Sequence, residues 1–276
     1  MANFTAADIK ALREQTAAGM MDVKKALEEA DGDMAKAAEI LRIKGLKGVT
    51  KREGRSASNG LVAAKAEGGI GTLVEVNCET DFVAKGERFV ALAEQVLAQA
   101  VATEATDAAA LVASTLPDGR TVAELLIEGN AATGEKIEVR RVARVTGDKV
   151  VAYLHRTNKD LPPQIGVLVA TSGADDTTAH DVAMHIAAFS PTALAREDVP
   201  EDVVANERRI AEATAREEGK PEAALPRIIE GRVNGYFKEN VLLEQAFAKD
   251  QKKSVAQVLK EAGAQATSFA RFRVGN

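Results

Sequence analysis

The sequence predicts an α+β fold in which a small helical module precedes two core halves of similar order. Three observations carry this. Apolar residues recur at helical spacing from Ile9 to Leu41, and at Leu61 they change to strand-like runs. From there to Val274, an order of strand, strand, helices and closing strand occurs twice, the pattern of a unit with helices segregated to one face of an antiparallel sheet. Aromatic residues are scarce, with no Trp, two Tyr and eight Phe, so Ala, Val, Leu and Ile must fill the core.

Residues 1–54 read as a three-helix unit. Thr5 and Asp8 can cap a first helix that turns Ile9 and Leu12 inward. Ala18-Gly19-Met20-Met21 interrupts it, and a second helix from Asp22 buries Val23, Ala26 and Leu27. Asp31-Gly32-Asp33 is a turn, and Met34, Ala37, Ala38 and Leu41 space a third helix. Helices of about ten residues suit a minimal bundle. Gly45 and Gly48 end the periodicity, and the basic stretch Arg42–Arg55, running into Ser56-Ala57-Ser58-Asn59-Gly60, reads as a linker.

Residues 55–145 form the first core half. Leu61–Ala66 and Ile70–Asn77 are strands joined by the hairpin turn Glu67-Gly68-Gly69. Helical patterns follow at 87–104, 106–114 and 121–132. A third strand, Lys136–Val145, sets Ile137, Val139, Arg141 and Ala143 in alternation with charged neighbours. Residues 146–276 form the second half: strands Val150–Leu154 and Ile165–Thr171, helices Asp175–Ala188 and Ser254–Ala262, and the closing strand Ser268–Val274. An insertion at 196–240 interrupts it. Two amphipathic arms, separated by Glu218-Gly219-Lys220-Pro221 and with Pro226 near the start of the second, predict a protruding helical hairpin. That hairpin is a candidate surface for self-association.

The composition excludes several classes. A net charge of −5 and a pI near 5.5 argue against direct nucleic-acid binding, which Lys and Arg dominate. No stretch approaches the ~20 apolar residues of a membrane span, and the amino terminus lacks the basic start and apolar run of a secretory signal. The chain reads as cytosolic. One cysteine, Cys78, allows no intramolecular disulfide and no cysteine-rich metal site. His180 and His185 stand ~140° apart on a helix, too far round to share a metal as an i, i+4 pair does. Gly68-Gly69-Ile70-Gly71 precedes neither a Lys-Ser/Thr pair nor a helix, so it is no phosphate loop. The neighbours of Cys78 are acidic, which disfavours a thiolate. No metal, no cofactor and no catalytic constellation is expected. The competing readings are a cysteine-dependent enzyme built on Cys78 and a distant His, and an adaptor acting through the N-terminal helices.

The unusual segment is Thr80-Asp81-Phe82-Val83-Ala84-Lys85, which sets one of the few aromatics in a strand-to-helix connection. Such a residue is either a plug over a local gap in the core or an anchor for a partner's pocket. Residue chemistry alone leaves both open.

In order along the chain, several blocks resemble the elongation factor Ts family. They are Thr16-Ala17-Ala18-Gly19-Met20-Met21-Asp22-Val23-Lys24-Lys25-Ala26-Leu27, Glu75-Val76-Asn77-Cys78-Glu79-Thr80-Asp81-Phe82-Val83-Ala84-Lys85, Arg140-Arg141-Val142, Ile165-Gly166-Val167-Leu168-Val169, Ala183-Met184-His185, Glu230-Gly231-Arg232 and Phe272-Arg273-Val274-Gly275. The first two are highly specific. The resemblance implies an N-terminal module like a ubiquitin-associated domain, two α+β halves with antiparallel sheets, and a projecting helical hairpin. It implies a partner, the GTPase elongation factor Tu, from which family members speed GDP release without catalysing chemistry themselves. It further implies that Leu12, Met20 and Met21 dock on the partner's nucleotide-binding domain. Thr80, Asp81, Phe82 and Val83 would form a wedge entering near the magnesium and phosphate site, and His155 would contact another partner domain. Some members continue past the position of Val274-Gly275 into a C-terminal helical module, whose contacts are not expected here.

Overall fold

The computed structural model describes residues 3–16, 18–52 and 54–275. Helices α1 (Ala6–Thr16), α2 (Met20–Glu29) and α3 (Met34–Arg52) form the N-terminal module. The anticipated cap is present: the Thr5 N–H and hydroxyl donate to Asp8 Oδ2 at 2.7 and 2.8 Å, and the Asp8 N–H donates back to Thr5 Oγ1 at 3.3 Å. Leu12, Val23, Ala26, Leu27, Ala37 and Leu41 fill the space between the helices.

One expectation fails here. The backbone of the supposed linker is helical as far as Arg52, so α3 runs on through Gly45 and Gly48. A glycine inside a helix costs only about 1 kcal/mol, and tertiary support outweighs it. The helix lies against α7 (Val122–Thr133), where Arg42 donates to Glu124 Oε1 at 3.1 Å. Glu53 and the side chains of 45–52 lie outside the described residues.

The first core half is an antiparallel sheet in the order β1 (Asn59–Glu67), β2 (Ile70–Cys78), β3 (Glu138–Thr146). Its outer face is covered by α5 (Glu87–Ala102), α6 (Ala108–Ala113) and α7. The β1–β2 hairpin closes at Gly68 and Gly69 with φ of +57° and +81°, the left-handed values a two-residue turn demands. Expected alternation breaks in β3. Val76 pairs with Val139 but Glu75 pairs with Arg141, leaving Arg140 as an extra residue. This bulge sends Ile137, Val139 and Val142 toward the helices, and Ala143 and Val145 to the opposite face. Arg141 and Ala143 therefore do not continue the face of Ile137 and Val139.

The second half repeats the plan. The sheet order is β4 (Lys149–His155), β5 (Ile165–Ser172), β8 (Gln265–Arg273), with α8 (Asp176–Phe189) and α11 (Val255–Glu261) on its outer face. Asp175 caps α8 by accepting the Thr178 N–H at 2.6 Å, and Ser254 with Gln257 forms a capping box on α11. A two-stranded ribbon, β6 (Ala246–Phe247) and β7 (Asp250–Ser254), was not foreseen. The inserted hairpin is α9 (Glu201–Glu217) and α10 (Leu225–Asn240), with Pro226 in the first turn of α10, where its missing N–H has no helical partner to lose.

The two sheets pack face to face. Val62, Leu73, Val145, Val150, Leu168, Ala170 and Phe272 form the shared layer, so the central strands β2 and β5 are buried on both faces. Their approach is close: a Cβ on Gly166 would lie 2.4 Å from Val62 Cγ1. Fully buried Glu75 ties the halves together. It accepts Arg141 Nε at 2.7 Å and the Gly275 N–H at 3.2 Å, while Arg141 also donates to the Arg273 carbonyl at 3.0 Å.

Candidate functional site

Strand β2 ends at Cys78, and the chain then makes a single helical turn, α4 (Asp81–Ala84), before α5. Thr80 is its N-cap, the Thr80 hydroxyl accepting the Val83 N–H at 3.3 Å. Only Ala84 of this turn enters the core, with Val83 packed beside it. Asp81 and Phe82 therefore face outward. Phe82 is 76% exposed, the highest value among the large exposed apolar residues described. Lys85 pairs with Asp81 at 3.7 Å and sets Nζ 5.8 Å from the centre of the Phe82 ring. Both contacts are at the surface and each contributes at most about 1 kcal/mol.

What holds this turn comes from elsewhere in the chain. Helix α7 ends at Gly134 in the left-handed conformation, φ +77°, which reverses the backbone and aims Glu135 at the end of β2. Glu135 Oε2 accepts the N–H groups of Glu79 and Thr80, each at 3.0 Å, and Oε1 accepts the Thr80 hydroxyl at 2.6 Å. The exchange is mutual: the Glu79 carboxylate accepts the Lys136 N–H at 2.7 Å. Asn59 adds a bond from Nδ2 to the Glu79 carbonyl at 2.8 Å. Neither Glu79 nor Glu135 emerges as functional from sequence reading. Their pairing spans 56 residues, and only the glycine after α7 hints that the chain turns back there.

Cys78 lies fully buried beneath the turn, and its Sγ is 3.2 Å from the Thr80 carbonyl. Burial first, then the Glu135 charge, pushes the thiol up to about 12. At neutral pH it is a protonated, packed side chain, not a nucleophile.

The N-terminal residues fall into two groups. Met20 and Met21, 59% and 62% exposed, open α2 on the outside of the module. Leu12 is fully buried in the same module, and this corrects its placement on a docking surface. Its inward spacing with Ile9 is the reason: while the bundle is folded, a partner has no Leu12 side chain to touch. Gly19, just before Met20, and Arg88, near the start of α5, line one surface cleft. His155 is exposed at the end of β4, with Nδ1 3.3 Å from the Tyr153 hydroxyl. Its neighbours Leu154 and Arg156 line a groove of about 410 Å³ together with Lys85, so the region of His155 connects with that of the turn. Among the described residues, no group of three or more His, Cys, Asp or Glu is placed to hold a metal ion. No helix among them is long and apolar enough to cross a membrane.

The sequence pattern of the family described as "Elongation factor TS" matches residues 79–276. Proteins named Elongation factor Ts align along the whole chain: that of Renibacterium salmoninarum is 66% identical over 278 residues, that of Kineococcus radiotolerans 65% over 275, and that of Pseudarthrobacter chlorophenolicus 63% over 279. Each alignment covers 100% of both chains. With the Thr80–Val83 turn and both core halves inside these alignments, the chain belongs to the elongation factor Ts family of translation elongation factors.

Proposed function

We propose that this chain is a nucleotide exchange factor for elongation factor Tu, working in the cytoplasm and making or breaking no bond itself. The observation that carries the reading is the exposed Phe82 on a one-turn helix fastened at both flanks. A large aromatic ring presented on a well-held segment has the form of an anchor for a partner's pocket, the kind of contact that carries much of an interface's energy. Asp81 and Phe82 enter the partner beside the groups that hold magnesium and the β-phosphate. Met20 and Met21 dock on the nucleotide-binding domain as adaptable apolar contacts. His155 meets a second domain of the partner.

Energetics follow from linkage. If the factor and GDP each bind the partner but disfavour one another, each weakens the other by the same ratio. Full burial of a Phe contributes about 1.5–3 kcal/mol. With 76% of the residue still uncovered, roughly 1.1–2.3 kcal/mol is available for the partner. At 1.4 kcal/mol per decade, that weakens bound nucleotide roughly six- to fifty-fold from this side chain alone. Release quickens when the cost falls on the bound state more than on the barrier to departure.

The test is release of a fluorescent GDP analogue from purified elongation factor Tu, followed by stopped flow as this chain is titrated. Substoichiometric chain is expected to speed release at least about tenfold, a barrier lowering of ~1.4 kcal/mol. Release that stays at the intrinsic rate at every concentration would refute the proposal.

A further inference from the structure

We infer that Glu135 is a positioning residue for the exposed turn, with its carboxylate setting the orientation in which Phe82 is presented. The inference rests on the wedge reading above and adds a residue to it. Three donors converge on that one carboxylate, two backbone N–H groups on Oε2 and the Thr80 hydroxyl on Oε1. Because the Thr80 proton points to Glu135, an oxygen lone pair is left to accept the Val83 N–H. Donor and acceptor roles at one hydroxyl fix its rotamer, and that hydroxyl is the N-cap from which α4 and Phe82 project. Glu135 is itself held, its N–H donating to Thr133 Oγ1 at 3.2 Å while the Thr133 hydroxyl donates to the Gly129 carbonyl at 2.9 Å. The Glu79 carboxylate, returning a bond to Lys136, closes the loop from the other side.

These bonds lie at the margin of the fold. The first half is held by the apolar layer between its sheet and α5–α7, to which Glu135 adds no apolar surface. Loss of the carboxylate therefore loosens the turn without dissolving the half beneath it.

Glu135→Ala and Glu135→Gln, alone and combined with Phe82→Ala, test this. Glu135→Ala is expected to slow GDP release at saturating factor about tenfold while moving the half-saturating concentration less than about threefold. In the free chain, amide exchange at Thr80 and Val83 should speed up about tenfold or more, with the α5 amides unchanged. Glu135→Gln, which keeps one acceptor oxygen but turns an N–H₂ toward donors, should fall between, and it carries the test should the alanine variant fail to fold. In the Phe82→Ala background, Glu135→Ala should add less than about a twofold further loss, because both act through one ring. If Phe82→Ala is slow but folded Glu135→Ala or Glu135→Gln releases GDP at the wild-type rate, the positioning role is overturned and the wedge stands. Losses that multiply in the double variant also overturn it, since Glu135 would then act apart from Phe82. A wild-type rate from Phe82→Ala removes the wedge, and the positioning role with it.

Discussion

Replacing Phe82 by Ala separates two readings of one aromatic ring, because one acts on the free chain and the other on a complex. With 76% of the residue exposed, its own fold covers about a quarter of it, a folding contribution of roughly 0.4–0.7 kcal/mol. The Lys85 ammonium over the ring adds up to about 1 kcal/mol at an exposed position. At ~2–4 °C per kcal/mol for a domain of this size, the melting midpoint should fall by no more than about 7 °C. A buried plug would instead cost ~3–5 kcal/mol on truncation. If the exposed three quarters acts on the partner as proposed, loss of roughly 1.1–2.3 kcal/mol of wedge energy should slow GDP release about tenfold. Retained binding to nucleotide-free elongation factor Tu through the remaining surfaces is expected. The decisive pair of measurements is a thermal melt of the free variant and stopped-flow release of a fluorescent GDP analogue at saturating factor. Wild-type release from a well-folded variant would show that the ring does no work on the nucleotide.

Other perturbations probe the remainder of the molecule. Cys78→Ala, which trims a buried thiol raised to about 12, should cost about 1 kcal/mol of stability and leave saturated release within about twofold of wild type; a folded variant with no exchange would restore the case for a nucleophile. Replacing residues 196–240 with a short Gly-Ser bridge should preserve a single cooperative melt while weakening any self-association seen by sedimentation, because Ala193 and Val241 already pair side by side at the hairpin's base; a non-cooperative melt would mean that the hairpin belongs to the core. Acid should destabilise the second half through His185, which is fully buried with Nε2 2.8 Å from Gln245 Oε1 and Nδ1 accepting the Ala248 N–H at 3.2 Å. Burial lowers its pKa, so below ~6.5 the unfolded chain binds the proton first and stability falls with pH by at most about 1.4 kcal/mol per unit. Urea midpoints at pH 7.5 and 5.5 should differ less in His185→Gln than in wild type, and an equal fall in both would place the acid sensitivity elsewhere.

What the sequence made legible was set by how local each determinant is. The Thr5–Asp8 cap and the Gly68-Gly69 turn are encoded within a few residues, and each is where it was expected. The β3 register is not local. Whether Arg141 opposes Glu75 or its neighbour depends on a bulge that only the partner strand defines, so simple alternation placed Arg141 and Ala143 on the wrong face. The end of α3 was misread for a related reason: glycine propensity is weak, and the support from α7 lies far along the chain. Leu12 shows a conflict inside the reading itself, since its spacing already made it a core residue while resemblance drew it to a surface. At the Phe82 turn, sequence supplied the chemistry but could not choose between plug and anchor. Exposure is a property of the assembled half, in which Ala84 takes the inward position of α4.

A wedge does work only if it yields less than what it enters. Phe82 can deliver roughly 1.1–2.3 kcal/mol, and a soft turn would absorb that by bending before any of it reached the nucleotide site. Opposing this are three hydrogen bonds to the Glu135 carboxylate, one part-buried and two exposed, each contributing about 1 kcal/mol where water competes. Together they are of the same order as what the ring can deliver. On the proposed reading, these bonds oppose bending of the turn on the factor's side of the contact. The Phe82 turn follows the end of β2. That strand is buried on both faces, paired on both edges and tied through Glu75 to the second half, so the force has no easy route backward into the factor.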